Sequence, residues 1–199
     1  MSLAHAILGL LTVAPMTGYD LKTQAFDNTI AHFWQADQAQ IYRTLSAMVD
    51  NGWVESTLEV QEGRPNRKVY HITDAGREEL RRWLHTEQPL PVYREPFLVQ
   101  MFFAGALDTP TILDHIARQR EGHEARLAQY QRIPIPPLGD PSLDRNRTFW
   151  RLTLELGMAI ERAYLTWLDQ CETIVRSMEE GQQPAHRSTR TKPRRSASP

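Results

Sequence analysis

The order of the first elements, three short helices and then a β-hairpin, restricts the fold of this 199-residue chain more than any other feature. Apolar residues at helical spacing predict the first helix over residues 3–13. Thr17 is suited to cap a second helix, and Asp37 followed by Gln40 has the spacing of a capping box that opens a third. An Asn-Gly pair at residues 51–52 ends the third helix before the extended segments begin.

Two extended segments follow the third helix and predict the hairpin. Residues 53–61 and 67–72 each alternate apolar with polar side chains, and the segment between them carries Gly63 and Pro65, which are typical of a narrow turn. Another helix begins after Thr73, which is suited to cap it. Three helices followed by such a hairpin are the order of a winged helix-turn-helix domain, in which the hairpin is the wing.

Prolines separate this domain from a second, helical part of the chain. Several closely spaced prolines within residues 89–96 cannot lie in one helix, so they mark a boundary. We therefore predict a winged helix-turn-helix domain over residues 1–88 and a helical dimerisation domain over residues 89–180. The predicted helices of the second domain span residues 97–107, 110–132 and 143–180. The predicted fold class is mainly α with a small β-hairpin.

The longest predicted helix carries apolar side chains on two stripes. A helix that is apolar around much of its circumference is buried on more than one side. We therefore expect a two-fold homodimer that is built largely by residues 143–180. The first stripe consists of Phe149, Leu152, Leu156, Ile160, Ala163, Trp167, Cys171, Ile174 and Met178. The second stripe consists of Trp150, Leu154, Met158, Leu165, Leu168 and Val175.

The charge is distributed unevenly along the chain. All 24 acidic residues and 18 of the 23 lysines and arginines lie within residues 1–180, whose net charge is therefore −6. This excludes a protein that coats DNA through a globally basic surface, and a DNA-binding protein would have to concentrate positive charge locally. Residues 181–199 hold five bases and no large apolar residue, which predicts a disordered basic tail. That tail would be either a non-specific DNA tether or a solubilising end.

The third helix carries side chains that are suited to contact DNA bases. In a helix-turn-helix domain the recognition helix enters the major groove. Apolar residues at positions 41, 45 and 48 fix its buried face, and the side chains that point away are Gln38, Gln40, Arg43 and Thr44. Glutamine pairs bidentately with adenine and arginine with guanine, so these residues are candidates for base recognition. An ordinary solvated helix face is the alternative interpretation.

The predicted wing carries three bases. Arg64, Arg67 and Lys68 flank its turn and are suited to contact phosphates or the minor groove. A surface hairpin that carries these bases by chance is the alternative. A winged-helix module that binds another protein, without specific DNA binding, would keep the same core and lose these bases.

These segments resemble the PadR-like family of transcriptional regulators over nearly all of residues 1–84. The resembling motifs are HAILGLL (5–11), MTGYDL (16–21), QIYRTL (40–45), DNGWV (50–54), GRPNRKVY (63–70) and ITDAGREEL (72–80). Each motif is weak alone, but the ordered set is specific. The helical second half resembles the family members whose extra domain, similar to that of the virulence activator type, mediates dimerisation.

The resemblance implies a dimeric DNA-binding repressor of a kind often released by a small molecule, and many members of the family respond to phenolic or drug-like compounds. A dimer supplies the paired recognition helices that a palindromic operator needs, and we expect a small aromatic effector. Tyr42 matches a tyrosine of the family's recognition helix, where it would either contact a phosphate or wedge that helix against the wing. Aromatic and methionine side chains suited to line an effector pocket are Phe97, Met101, Trp150 and Trp167. Interhelical core is the alternative role for each of these four residues.

Other classes of protein are not indicated. The chain has no glycine-rich phosphate loop, nucleophile elbow or Cys/His nucleophile pair, so we expect neither an enzyme nor a cofactor. His115 and His123 lie eight residues apart, which is a poor spacing for metal ligands and is more typical of a surface helix. The single cysteine and the absence of a long apolar run predict a cytoplasmic protein that does not enter a membrane.

Overall fold

The structure is a computed structural model that describes residues 2–60 and 66–182. Its elements in chain order are α1 (Ser2–Val13), β1 (Met16–Thr17), α2 (Gly18–Asp20) with a π-helical continuation (Leu21–Thr29), α3 (Gln38–Asp50), β2 (Val54–Glu59), β3 (Arg67–Ile72), α4 (Asp74–Leu84), α5 (Pro96–Phe102), a 3₁₀ turn (Ala104–Ala106), α6 (Thr109–Gln131) and α7 (Arg145–Gln182). The predicted fold class, mainly α with a small β-hairpin, is confirmed. Helix α7 includes the first two residues of the predicted basic tail, and the rest of that tail lies outside the described residues.

Hydrogen bonds between residues three positions apart cap α3 and α4 at the positions that the sequence predicts. The Asp37 carboxylate accepts from the Gln40 amide at 2.7 Å, and the Gln40 side-chain carbonyl accepts from the Asp37 amide at 3.1 Å. Thr73 likewise caps α4, because its hydroxyl oxygen accepts from the Gly76 amide at 3.1 Å. These capping bonds satisfy amides that have no partner inside the helix.

The hairpin belongs to a three-stranded antiparallel sheet in the order β1-β3-β2. Val54 pairs with Ile72 at the base of the hairpin, and Glu59 pairs with Arg67 near its tip. The third strand, β1, pairs with β3 and places Thr17 opposite Val69. This strand was not predictable from the sequence, because two residues are too few to show an alternating pattern.

By their internal contacts, the residues form two compact units. Of the described residues, those up to Arg94 together with Leu127–Ile160 form the first unit, and Glu95–Arg126 together with those from Glu161 onwards form the second. The division of the chain by function at residue 88 stays a prediction.

The main core of the first unit lies among the helices and strands of the winged domain. The predicted buried face of α3 is confirmed, since Ile41, Leu45 and Met48 are at most 1% exposed. These residues pack with apolar side chains of the other elements; the buried members of the cluster are Ile7, Leu8, Leu11, Leu21, Phe26, Ala36, Ile41, Leu45, Met48, Val54 and Tyr70. This packing fixes which side of α3 faces outward.

Helix α7 buries one of its two predicted stripes and exposes most of the other. Leu154 and Met158 of the second stripe pack with Tyr130 and Ile133 in the first unit. Leu168, also of the second stripe, packs with Phe97 and other residues of the second unit. The first stripe is largely exposed at Phe149, Leu152, Leu156, Ile160, Ile174 and Met178, and from the second stripe Trp150 is 43% exposed.

His123 lies in the interior, and the interpretation of its helix as a surface helix is wrong at this position. Its ring is 7% exposed, stacks on Tyr164 with 4.2 Å between the ring centroids, and hydrogen-bonds through Nδ1 to Oε2 of Glu161 at 2.5 Å. A buried carboxylate partner explains how a histidine is accommodated there. Among residues 2–60 and 66–182, no three side chains are grouped as metal ligands would be.

None of the described helices combines the length and the hydropathy that a membrane span requires.

Candidate nucleic-acid interface

The outward side of α3 presents most of the residues proposed to contact bases. Gln38, Gln40, Tyr42 and Arg43 are exposed, whereas Thr44 is half-buried. Among the described residues, none forms an ion pair or a hydrogen bond with the guanidinium of Arg43, so no residue in this part of the chain engages its donors. This face therefore combines amide, hydroxyl and guanidinium groups on about two turns of one helix.

Gln40 is already committed to a structural role. Its side-chain carbonyl accepts the backbone amide of Asp37 in the capping box of α3. A glutamine that pairs bidentately with adenine uses both its carbonyl and its amino group. Gln40 would have to leave the capping box to do so, whereas the structure gives Gln38 no such hydrogen bond among the described residues. Gln38 is thus the better placed of the two glutamines.

The ring of Tyr42 packs on the first turn of α2. A β-carbon built on Gly18 would lie 2.6 Å from Cε1 of Tyr42, so no other residue fits at position 18 while the ring keeps this place. Tyr42 remains 43% exposed. The tyrosine is therefore exposed while one part of its ring packs on α2, and its two alternative roles, a phosphate contact or a wedge against the wing, stay predictions.

The wing carries its bases in different environments. Arg67 donates from Nη2 to Oδ2 of Asp20 at 2.9 Å. Lys68 is exposed, with its Nζ 5.4 Å from the centroid of the Tyr70 ring. Arg64 lies outside the described residues. Arg67 and Lys68 thus lie at the start of β3, where Asp20 holds the Arg67 guanidinium.

Asp20 is charged in this setting. Burial by itself raises the pKa of its carboxyl group, but hydrogen bonds from Thr17 and the guanidinium of Arg67 outweigh burial and hold the pKa below its ordinary value. Neither Asp20 nor Gly18 was predicted from the sequence to be a functional residue. The Thr-x-x-Asp spacing of a capping box at residues 17–20 was a signal that could have identified Asp20.

Three of the four proposed effector residues lie together in the second compact unit, and the fourth belongs to the first unit. Phe97 is buried, and its ring centroid is 6.0 Å from that of Trp167 in an edge-to-face arrangement. Met101 packs against the same cluster in the second compact unit. Trp150 belongs to the first compact unit and is exposed. On α7, helical periodicity already places Trp150 and Trp167 on different stripes.

Two family models match the chain and together cover most of it. Residues 7–82 match the transcriptional regulator PadR-like family. Residues 93–176 match the virulence activator alpha C-terminal domain. The chain is also 36% identical over 183 residues to a probable transcriptional regulator of Mycobacterium tuberculosis, which covers 85% of this chain and 95% of that protein.

Solved structures have the same fold along most of the chain. Bacillus subtilis PadR in complex with operator DNA superposes with a TM-score of 0.75 at 28% identity, covering 88% of this chain and 99% of that one. The same protein, a negative transcriptional regulator, has also been solved with p-coumaric acid, with a TM-score of 0.68 at 27% identity over the same shares of the two chains. The Vibrio cholerae virulence activator AphA gives a TM-score of 0.70 at 29% identity, again covering 88% and 99%.

Proposed function

Because the chain belongs to the PadR-like family of transcriptional regulators, we propose that it is a repressor that binds a palindromic operator as a homodimer and is released by a small aromatic effector. The observation that carries this proposal is the outward face of α3. Gln38 and Arg43 stand exposed there, beside a wing that carries Arg67 and Lys68. In a helix-turn-helix protein this face meets base edges, and the flanking bases meet phosphates. The similarity to a negative regulator solved with operator DNA supports the same assignment.

The candidate residues divide into two roles in this proposal. Gln38, Gln40, Arg43 and Thr44 are assigned to base contacts, with Gln40 available only after its capping bond opens. Arg64, Arg67 and Lys68 are assigned to phosphates, as is the hydroxyl of Tyr42. Phosphate contacts release counterions and so make binding depend on salt, whereas base contacts determine the preferred sequence.

The exposed stripe of α7 supports a homodimer. Leu156 and Ile160 are 64% and 46% exposed, and Ile174 and Met178 on the same helix are 53% and 60% exposed. Exposed apolar side chains in such a row indicate an interaction surface. A second copy of the chain that covers this stripe would place two recognition helices on one operator, about 34 Å apart or a multiple of that distance.

The cluster of Phe97, Met101 and Trp167 is the proposed effector site. An edge-to-face aromatic pair with a flexible methionine beside it can open to admit a planar apolar molecule. The complex of B. subtilis PadR with p-coumaric acid supports an effector of this chemical class. Such a ligand would release the DNA only if it bound the conformation unable to bind DNA more tightly than the competent one.

A gel-shift titration tests the proposed function. The full chain is mixed with a duplex of its own promoter region and with an unrelated duplex of equal length, each at several salt concentrations. We expect tighter binding to the promoter, with an affinity that falls steeply as salt increases. Equal binding to the two duplexes, or no binding, would favour the winged-helix module that binds another protein.

Release by effector is tested on the same complex. Aromatic carboxylic acids, including p-coumaric acid, are added to the protein–promoter complex while tryptophan fluorescence and the gel shift are followed. We expect quenching, because Trp167 lies in the proposed site, together with loss of the shifted band. Quenching that is the same with and without DNA would contradict an effector-controlled repressor.

A further inference from the structure

The carboxylate of Asp20 joins the wing to the first turn of α2. Its Oδ2 accepts from the Thr17 hydroxyl at 2.7 Å, from the Thr17 amide at 3.2 Å and from Nη2 of Arg67 at 2.9 Å. Its Oδ1 accepts from the side-chain amide of Gln24 at 3.0 Å. These four hydrogen bonds equal the usual capacity of a carboxylate, which is about four. The carboxylate group is therefore held in one orientation.

The strand pairing brings these two residues together although they are 47 positions apart in the sequence. Strand β1 places Thr17 opposite Val69 on β3. Arg67 lies two residues before Val69, so it points to the same side of the sheet as Val69. Asp20 lies three residues after Thr17 and is turned back towards it by the capping box. The pair thus depends on the sheet and on the cap at once.

The Arg67 guanidinium is anchored at one end and accessible at the other. Its side chain is 45% exposed, whereas that of Asp20 is only 18% exposed. A guanidinium has five N–H donors in a fixed planar fork, and a single donor nitrogen is engaged by Asp20. No other described residue accepts from this guanidinium, so its remaining donors can bind an anion in a direction that the carboxylate determines.

We propose that Asp20 is a positioning residue for DNA binding, which holds the Arg67 guanidinium so that its remaining N–H groups meet a DNA phosphate. This inference rests on the proposed function. The expected effect of Asp20 on DNA affinity is the opposite of the ordinary one, because a carboxylate close to DNA ordinarily weakens binding by repelling the phosphates. Here the negative charge increases the affinity, since an unanchored arginine would lose conformational freedom on binding.

The test is a double-mutant cycle on the full chain. The variants are Asp20→Asn, Arg67→Met and the two together, and binding to the promoter duplex is measured at several salt concentrations. Asparagine keeps the size of the side chain and one acceptor for the cap, and thermal unfolding verifies that each variant is folded. We expect Asp20→Asn to weaken binding about fivefold, the equivalent of about one hydrogen bond. In the Arg67→Met background the same change should no longer weaken binding, because the arginine that Asp20 positions is then absent.

Glu55→Gln is the matched control. It removes one negative charge from an exposed position of β2, opposite His71 and away from Arg67. We expect this variant to bind DNA as tightly as the wild type or slightly more tightly. If Asp20→Asn also increased the affinity, Asp20 would act only through its charge and the inference would be wrong. Additive effects of Asp20→Asn and Arg67→Met would overturn it as well.

A further variant, at Arg67, tests the inference without changing the residues that cap α2. Arg67→Lys keeps the positive charge, but an ammonium group cannot present a planar fork to a carboxylate and a phosphate together. We expect it to lose about as much affinity as Asp20→Asn, and wild-type affinity would overturn the inference. Absence of promoter binding by the wild type would overturn the proposed function and, with it, this inference. If the wild type bound the promoter but the effects of Asp20→Asn and Arg67→Met on affinity were independent of each other, only this inference would be overturned.

Discussion

Gly76 is the position where a single added methyl group should destabilise the protein most clearly. It lies in the first turn of α4, and its amide donates to the Thr73 hydroxyl. A β-carbon on Gly76 would lie 2.1 Å from the carbonyl oxygen of Trp53 and 3.0 Å from Cγ1 of Ile72. Since β-carbons essentially never lie within 3.0 Å of a heavy atom outside their own residue and its chain neighbours, α4 and the base of the wing would have to separate by about 1 Å.

The atom that a β-carbon on Gly76 would meet, the Trp53 carbonyl oxygen, belongs to the backbone, so the substitution Gly76→Ala is costly. The Trp53 carbonyl accepts from the Thr73 amide at 3.1 Å, and the Thr73 hydroxyl donates to the Gly52 carbonyl at 2.7 Å. The carbonyl therefore cannot move without breaking hydrogen bonds. We expect the steric overlap to cost about 3 kcal/mol of stability, at the upper end of the range for overpacking. The better helix propensity of alanine offsets about 1 kcal/mol of this cost. Gly76→Ala should thus lower the free energy of unfolding by about 2 kcal/mol.

Gly9→Ala is the matched control, because a β-carbon on Gly9 would have no heavy atom within 4 Å. Within α1 the same substitution should stabilise the protein by about 0.5–1 kcal/mol. Urea unfolding followed by circular dichroism measures both variants against the wild type. Equal or greater stability of Gly76→Ala would refute the steric reasoning. A destabilised Gly9→Ala would show that Gly9 is constrained by something other than space.

Three further predictions concern the other parts of the molecule. Ile160→Glu should convert the proposed dimer to a folded monomer in sedimentation, because it places a charge on the exposed stripe of α7. Thr166→Glu, on an exposed position of the same helix, should leave the dimer intact. A dimeric Ile160→Glu variant would place the interface elsewhere. Burial lowers the pKa of His32 and outweighs the opposing effect of the Thr29 backbone, which raises it. The neutral form of His32 therefore stabilises the fold above about pH 6.5, and that contribution is lost as pH falls towards the lower folded pKa. The stability difference between the wild type and His32→Gln should therefore shrink from neutral to acidic pH in urea titrations, and a growing difference would contradict this sign. Arg43→Ala should change the preferred base at one operator position, at about 1–3 kcal/mol, while Lys68→Ala should weaken all duplexes similarly; a competition assay on single-base operator variants distinguishes the two outcomes.

Features that depend on neighbouring residues were predictable from the sequence. The capping box of Asp37 and Gln40 and the Thr73 cap are each formed by residues three positions apart. Such hydrogen bonds need no tertiary contact, so a sequence pattern is sufficient to locate them. The buried side of α3 was predictable for a similar reason, since apolar residues at helical spacing define one face.

Features that depend on distant residues were not predictable. The contact between Tyr42 and Gly18 joins residues 24 positions apart, and the ion pair between Arg67 and Asp20 spans 47 positions. Both depend on how α2 lies against α3 and β3, which no local pattern specifies. Likewise, helical periodicity identified two stripes on α7 but could not show which one the chain itself covers.

The case of Gln40 shows why exposure on the right helix face is not sufficient to assign a base contact. Periodicity places Gln38 and Gln40 outside the buried face of α3, and the structure confirms that both are exposed. Yet the Gln40 carbonyl is used in the capping box, so a base contact would first cost the helix one of its starting hydrogen bonds. Gln38 has no such cost. The structure therefore separates two residues that the sequence treats alike, and it does so through a bond that the sequence itself had predicted.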